Sequence, residues 1–354
     1  MVQPTYSPAP HDAMTQAARA LKSLRTVFPL QPARVGQTPR HVVWRRNKAK
    51  LHRYEGQGER RHATPVFFVY ALINKPYILD LQPGSSLIEY LVGEGHDVYL
   101  LDWGTPGEED GGTTLSDIVT GLMPSAVRAA LRCSGVERLT MFGYCQGGTL
   151  SAMYAALDEG RTLANLVLLT TPIDFADAGL YSNWLNPEHA DIDRLADSMK
   201  LVPAELLDFG AKLLKPFQNW VSPYVRLFES LDDEDFVESW RAMNGWVSDG
   251  IPMPAEVYRQ WAKDFYQGNK LVRGEVMLGA RRIDLARITC PLLVVHATLD
   301  HIVPTCQSTV VADLVGSTDV TVLPVKAGHV GVVVGKGARK NFFPQLDAWL
   351  QVRS

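Results

Sequence analysis

Short apolar runs recur through the middle and end of the chain, at Val66–Tyr70, Val98–Asp102, Leu139–Gly143, Leu166–Thr170, Leu292–His296 and Val320–Leu323. Stretches with helical spacing separate them. Continuous apolar runs of this length suit strands buried on both faces, and strands alternating with helices predict a doubly wound, mostly parallel α/β sheet. Upstream, residues 40–62 alternate around the turn Arg46-Asn47-Lys48-Ala49-Lys50, which predicts an antiparallel hairpin with a basic, solvated face. The spacing of Met14, Ala17, Ala18, Leu21, Leu24 and Phe28 predicts an amphipathic helix over Ala13–Phe28, inside a proline-interrupted arm. From Asp174 to Arg282 no buried strand is legible. Ile192–Met199, Ala204–Leu214 and Ala255–Tyr266 are helix-like there, and the acidic run Glu229–Glu238 reads as a helix start in water. The expected organisation is an arm at 1–38, a core at 39–173 and 283–354, and a mostly helical cap inserted at 174–282.

Composition narrows the functional classes. The chain has 354 residues, 46% apolar and 21% charged, enough for one large domain with an insertion. A net charge of −3 argues against a dedicated nucleic-acid binder. Four scattered cysteines are too few for a disulfide scaffold and fit a reducing compartment. The longest apolar run, Val66–Ile73, is far short of the roughly 20 residues a membrane span needs. No basic-then-apolar leader is seen at the N-terminus, so a soluble cytoplasmic protein is expected.

The sharpest local signal is Gly143-Tyr144-Cys145-Gln146-Gly147-Gly148, which follows one apolar run and precedes the helix-like Thr149–Leu157. Strand, G-x-nucleophile-x-G and helix form the nucleophile elbow of an α/β-hydrolase fold. Cysteine replaces the usual serine at its centre. A thiol at a helix N-terminus is a candidate for a lowered pKa, and a thiolate exchanges one thioester for another at nearly balanced energy. The elbow therefore suits acyl-CoA substrates. The acid and the histidine should follow in that order. Asp300 lies just past Leu292–His296, and His329 lies after Val320–Leu323. The oxyanion hole is expected from the N–H of Gln146 and from the Leu72–Asn74 loop, at Ile73. His301 reads as a supporting neighbour of the acid. His296, Cys133, Cys290 and Cys306 read as packing residues. No His/Cys/Asp cluster has metal-ligand spacing, so neither a metal nor a separate cofactor is expected.

Several stretches go beyond a generic hydrolase. Asn74-Lys75-Pro76-Tyr77-Ile78-Leu79-Asp80-Leu81-Gln82-Pro83, Val98-Tyr99-Leu100-Leu101-Asp102-Trp103, the cysteine elbow, Asp264-Phe265-Tyr266-Gln267-Gly268-Asn269-Lys270-Leu271, Asp300–Pro304 and Gly328–Gly331 resemble the catalytic subunit of polyhydroxyalkanoate synthases. The resemblance runs from about residue 38 to 350. The chain begins close to that region, which resembles the short class III subunits, with class IV next. Tyr144 departs from the pattern, since related sequences often carry Ile or Phe there. The resemblance implies polymerisation of (R)-3-hydroxyacyl-CoA, 3-hydroxybutyryl-CoA above all, into polyester with release of CoA. It implies Cys145 as nucleophile, His329 as base and Asp300 as its orienting acid. It also implies a second, different synthase subunit, homo-oligomerisation and a place at the surface of polyester granules. The alternative on the same fold is a Cys-dependent hydrolase, thioesterase or dienelactone-hydrolase-like, with water as acceptor.

Overall fold

In the computed structural model, which describes residues 15, 18, 21, 22, 33–56 and 60–354, the six apolar runs become neighbouring strands of one sheet. The strands are β1 (Arg40–Arg46), β2 (Ala49–Tyr54), β3 (Val66–Val69), β4 (Val98–Asp102), β5 (Leu139–Tyr144), β6 (Leu163–Leu169), β7 (Leu292–Ala297) and β8 (Val320–Val325). Their order across the eight-stranded sheet is β1-β2-β4-β3-β5-β6-β7-β8. From β4 to β8 every pairing is parallel, and the basic hairpin β1–β2 adds antiparallel to the β4 edge. The expected helix over Ala13–Phe28 falls largely outside the described residues.

The continuous apolar runs follow from burial on both faces. Phe67, Val69, Tyr99, Leu101 and Met141 point into one core layer with helices α1 (Met123–Ser134) and α2 (Gln146–Asp158). Phe68, Leu100, Phe142, Val167 and Val295 point the other way, against Leu87, Leu91, Phe342, Phe343 and Leu346. The edge strand β8 is covered less, and Val322 stays 42% exposed.

Between β6 and β7 the chain is largely helical, including α3 (Ala204–Leu213), α4 (Ser222–Glu229), α5 (Glu234–Val247) and α6 (Ala255–Gln260). The acidic run starts α5, where the Asp233 carboxylate accepts the N–H of Phe236 at 3.0 Å as an N-cap. One expectation is corrected. Two short antiparallel ladders lie in this region, Leu201–Val202 with Met253–Pro254 and Met277–Leu278 with Arg281–Arg282. Val202 and Met253 are buried, but two-residue strands leave no periodicity for a sequence to display. Asn269 ties this region back to its start: its Oδ1 accepts the Phe175 N–H at 2.9 Å and its Nδ2 donates to Asp174 at 2.8 Å.

The structure also gathers His62, His96 and Asp347, which are far apart in sequence. The rings of the two histidines stack nearly parallel, 4.0 Å between centroids, so their in-plane lone pairs do not converge on one ion. His96 Nε2 contacts Asp347 Oδ1 at 2.8 Å, and its buried Nδ1 has no partner. Burial holds the His96 pKa below its ordinary value, the Asp347 contact opposing and the His62 ring adding to the effect. His96 is therefore neutral in the fold, while the unfolded chain takes up a proton near the reference value of about 6.5. The unfolded state then binds more protons, so stability falls as pH drops below about 6.5. Urea midpoints at successive pH values are expected to show this loss, and His96→Gln is expected to flatten it.

Candidate active site

The elbow sits where β5 meets α2. Cys145 adopts φ 55° and ψ −126°, a left-handed strain that turns its side chain off the end of the strand. The flanking glycines are sterically required. A Cβ at Gly147 would lie 2.1 Å from the carbonyl oxygen of Val69, and one at Gly148 would lie 1.8 Å from Thr171 Oγ1. The turn is thus wedged between the ends of β3 and β6, with Cys145 at the N-cap of α2, where its carbonyl accepts the Gly148 N–H at 2.9 Å.

Asp300 follows β7 and His329 follows β8, adjacent parallel strands whose C-terminal ends carry both loops to the elbow. His329 Nδ1 lies 2.6 Å from Asp300 Oδ2, and the Cys145 side chain is close enough to act on the pKa of the ring. The other carboxylate oxygen of Asp300 accepts the N–H groups of Ile302 at 2.8 Å and Val303 at 2.9 Å, which fixes its orientation. Burial alone would lower the His329 pKa. The charges of Cys145 and Asp300 and their hydrogen bonds outweigh it and push the pKa up to about 10. The protonated imidazolium form is thus favoured beside the Asp300 carboxylate.

The Leu72–Asn74 loop lies beside the elbow, but not as a row of free donors. The Leu72 N–H is taken by Gln146 Oε1 at 3.1 Å. The backbone N–H groups of Gln146 and Ile73 have no hydrogen-bond partner among the described residues. The Ile73 carbonyl accepts the Ile251 N–H at 2.7 Å, which anchors the loop to the helical region. The Tyr70 carbonyl is fixed by Trp103 Nε1 at 3.0 Å, and that of Lys75 by Trp246 Nε1 at 2.9 Å. His301 is half-buried near Asp300, His329 and Lys215, and burial lowers its pKa. His296 packs on β7 with its Nδ1 3.1 Å from Thr305 Oγ1. Cys133 and Cys290 are partly buried, and burial raises the Cys290 thiol to about 11. Cys306 is exposed, which corrects its reading as a packing residue: it lies in the short helix Thr305–Thr309, whose outer side faces solvent.

Sequence reasoning missed several neighbours. The Tyr144 hydroxyl donates to the His329 carbonyl at 2.9 Å, and its ring stacks on the imidazole with centroids 5.5 Å apart. The departure from Ile or Phe at Tyr144 was the available signal. Tyr181 and Tyr266 pack together at 5.5 Å and lie near Cys145, and burial raises the pKa of both hydroxyls, so the helical region brings aromatic rings towards the elbow. Nothing local in the sequence assigns these two to the site.

Sheet order, strained elbow and Cys–His–Asp contacts place the chain in the class of α/β-hydrolase-fold proteins. It matches the family described as "alpha/beta hydrolase fold" over residues 64–335. A putative lipase from Sulfolobus solfataricus shares the fold, with TM-score 0.58 and 14% identity over 89% of this chain and 99% of that one. Residues 30–91 match the "Poly-beta-hydroxybutyrate polymerase (PhaC) N-terminus". The chain is 38% identical to the poly(3-hydroxyalkanoate) polymerase subunit PhaC of Allochromatium vinosum over 90% of both proteins. It is 40% identical to the Haloferax mediterranei subunit over 90% of its own length and 65% of that protein. Against the Cupriavidus necator protein identity is 28%, over 87% of this chain and 53% of the relative. The chain belongs to the poly(3-hydroxyalkanoate) polymerase subunit PhaC family.

Proposed function

We propose that this chain is the catalytic subunit of a polyhydroxyalkanoate synthase that polymerises (R)-3-hydroxyacyl-CoA, 3-hydroxybutyryl-CoA above all. The observation that carries the reading is a cysteine, not a serine, at a strained elbow near an Asp-oriented histidine, in a chain of this family. Cys145 Sγ attacks the thioester carbonyl, and the oxyanion is met by the N–H groups of Gln146 and Ile73. The CoA sulfur leaves with the His329 proton. The 3-hydroxyl of an acyl unit then gives its proton to His329 while its oxygen attacks a thioester, forming the ester bond and freeing a thiolate. Asp300 holds the ring and balances its charge, and His301 supports Asp300 from the adjoining position. Residues 174–282 act as a cap that excludes water and opens for substrate. No separate cofactor or metal takes part, since CoA arrives with the substrate.

Identity of 38% to the Allochromatium subunit, against 28% to the Cupriavidus protein, supports the class III type, with class IV next. A second, different subunit and self-association belong to this reading, as does work at the surface of polyester granules in the cytoplasm. No helix among the described residues is long and apolar enough to cross a membrane.

The test is CoA release from (R)-3-hydroxybutyryl-CoA with turbidity read alongside, for the chain alone and with the subunit encoded beside it. Release with turbidity supports the polymerase. Release yielding only free 3-hydroxybutyrate overturns it in favour of the hydrolase. Asp300→Asn adds a check: kcat is expected to fall on the order of a thousand-fold. The same variant is expected to lower the His329 pKa from about 10, read by NMR of the ring nitrogens.

A further inference from the structure

The helical region carries an aromatic face that the chemistry above does not use. Among the described residues, Phe209, Phe217, Trp220, Tyr224 and Phe228 are 51%, 67%, 38%, 41% and 61% exposed. Trp220, Val221, Tyr224, Val225 and Phe228 line an apolar groove of about 620 Å³. Exposed aromatic clusters of this kind mark interaction sites rather than ordinary surface.

Continuity and charge identify the occupant. Tyr181 packs against Trp184 and Tyr266, with centroids 5.7 and 5.5 Å apart. A Cβ on Gly210 would meet the Tyr181 ring at 3.9 Å; the preceding residue, Phe209, packs on Trp220 at 5.8 Å. Aromatic rings therefore run from the Tyr181–Tyr266 pair, on the elbow side of the helical region, to the groove. The groove is bordered by Glu229, and Asp233, Glu234 and Asp235 follow within a few residues, with Arg226 the single cation on α4 and Asp232 paired to Lys22 at 3.5 Å. An acidic border repels anionic headgroups and nucleotides. It leaves a neutral, apolar chain with ester carbonyls as the fitting ligand, and ring N–H and O–H groups of Trp220 and Tyr224 suit those carbonyls.

We infer that the face formed by Phe209, Trp220, Tyr224 and Phe228 is a docking surface for the polyester leaving Cys145. The inference rests on the polymerase reading, and the experiment separates the two. The triple variant Phe209→Ser, Trp220→Ser, Phe228→Ser changes only exposed side chains. Retention on amorphous poly(3-hydroxybutyrate) particles would be measured beside first-turnover CoA release, with anionic phospholipid vesicles as control and mass photometry for self-association. The variant is expected to lose retention by at least about ten-fold and to keep the first-turnover rate within about two-fold. Retention equal to wild type overturns the inference. So does a wild type that releases CoA yet does not bind particles, or one that binds vesicles equally well. A variant that loses a dimer instead assigns the face to a second copy. A wild type that releases no CoA in any mixture overturns the polymerase reading itself.

Discussion

Cys145→Ala is expected to lower CoA release by more than about a thousand-fold and to abolish turbidity, because no other group can carry the acyl chain. The exposed thiol of Cys306 has no imidazole partner among the described residues, and the Cys290 thiol is held up at about 11 by burial. Neither substitutes. The variant should also lower the His329 pKa, since two of the influences that raise it come from Cys145. Cys145→Ser separates nucleophile chemistry from geometry. It keeps a nucleophile in place but forms an ester, so acyl transfer runs downhill onto the enzyme and is only near-balanced off it onto the 3-hydroxyl, which forms another ester. Acyl-enzyme is expected to accumulate by mass spectrometry while release slows. Wild-type rates in Cys145→Ala would sink the mechanism.

The second large effect is on the fold. Gly147→Ala places a methyl group 2.1 Å from the Val69 carbonyl oxygen and 2.7 Å from the Tyr70 carbonyl carbon. Both are backbone atoms at the end of a central strand, so no side chain can swing aside. A loss of at least about 3 kcal/mol is expected, at the severe end of overpacking. Urea denaturation measures it, with Gly84→Ala as a reference: there a Cβ meets nothing within 4 Å, and the positive φ of 75° is the only strain. Equal stabilities for wild type and Gly147→Ala would show that the elbow can relax away from β3.

What was readable in the sequence was whatever repeats along the chain. Five of the six apolar runs are strands packed on both faces, so burial left its mark residue by residue, while the edge strand β8 is covered less. Cys145, Asp300 and His329 were readable because each follows a strand, and a parallel sheet delivers all such ends to one side. Contacts between distant segments left no such mark. The Gln146 side chain taking the Leu72 N–H, or Tyr144 reaching the His329 carbonyl, depends on three-dimensional approach rather than spacing. The segment around Asn269 shows the difference between recognising a pattern and explaining it. It was legible as a family feature, yet its amide turns out to close the helical region onto Asp174 and Phe175. Asp80, in another of the resembling segments, is likewise an anchor, accepting from Thr38 and Ser86 in a buried position.

The bond from Gln146 to Leu72 has a consequence for the product. It joins the nucleophile turn to the loop opposite, which the Ile73–Ile251 bond ties to the helical region; in the proposed mechanism, thiol and oxyanion donors keep one geometry as long as that bond holds while outer helices of the region move. Opening and closing then change how often a monomer arrives, not the barrier it meets. In a polymer made under those conditions, the hundredth unit is added at the same intrinsic rate as the tenth. The spread of molecular mass is set by when chains are released and by how many enzymes are primed.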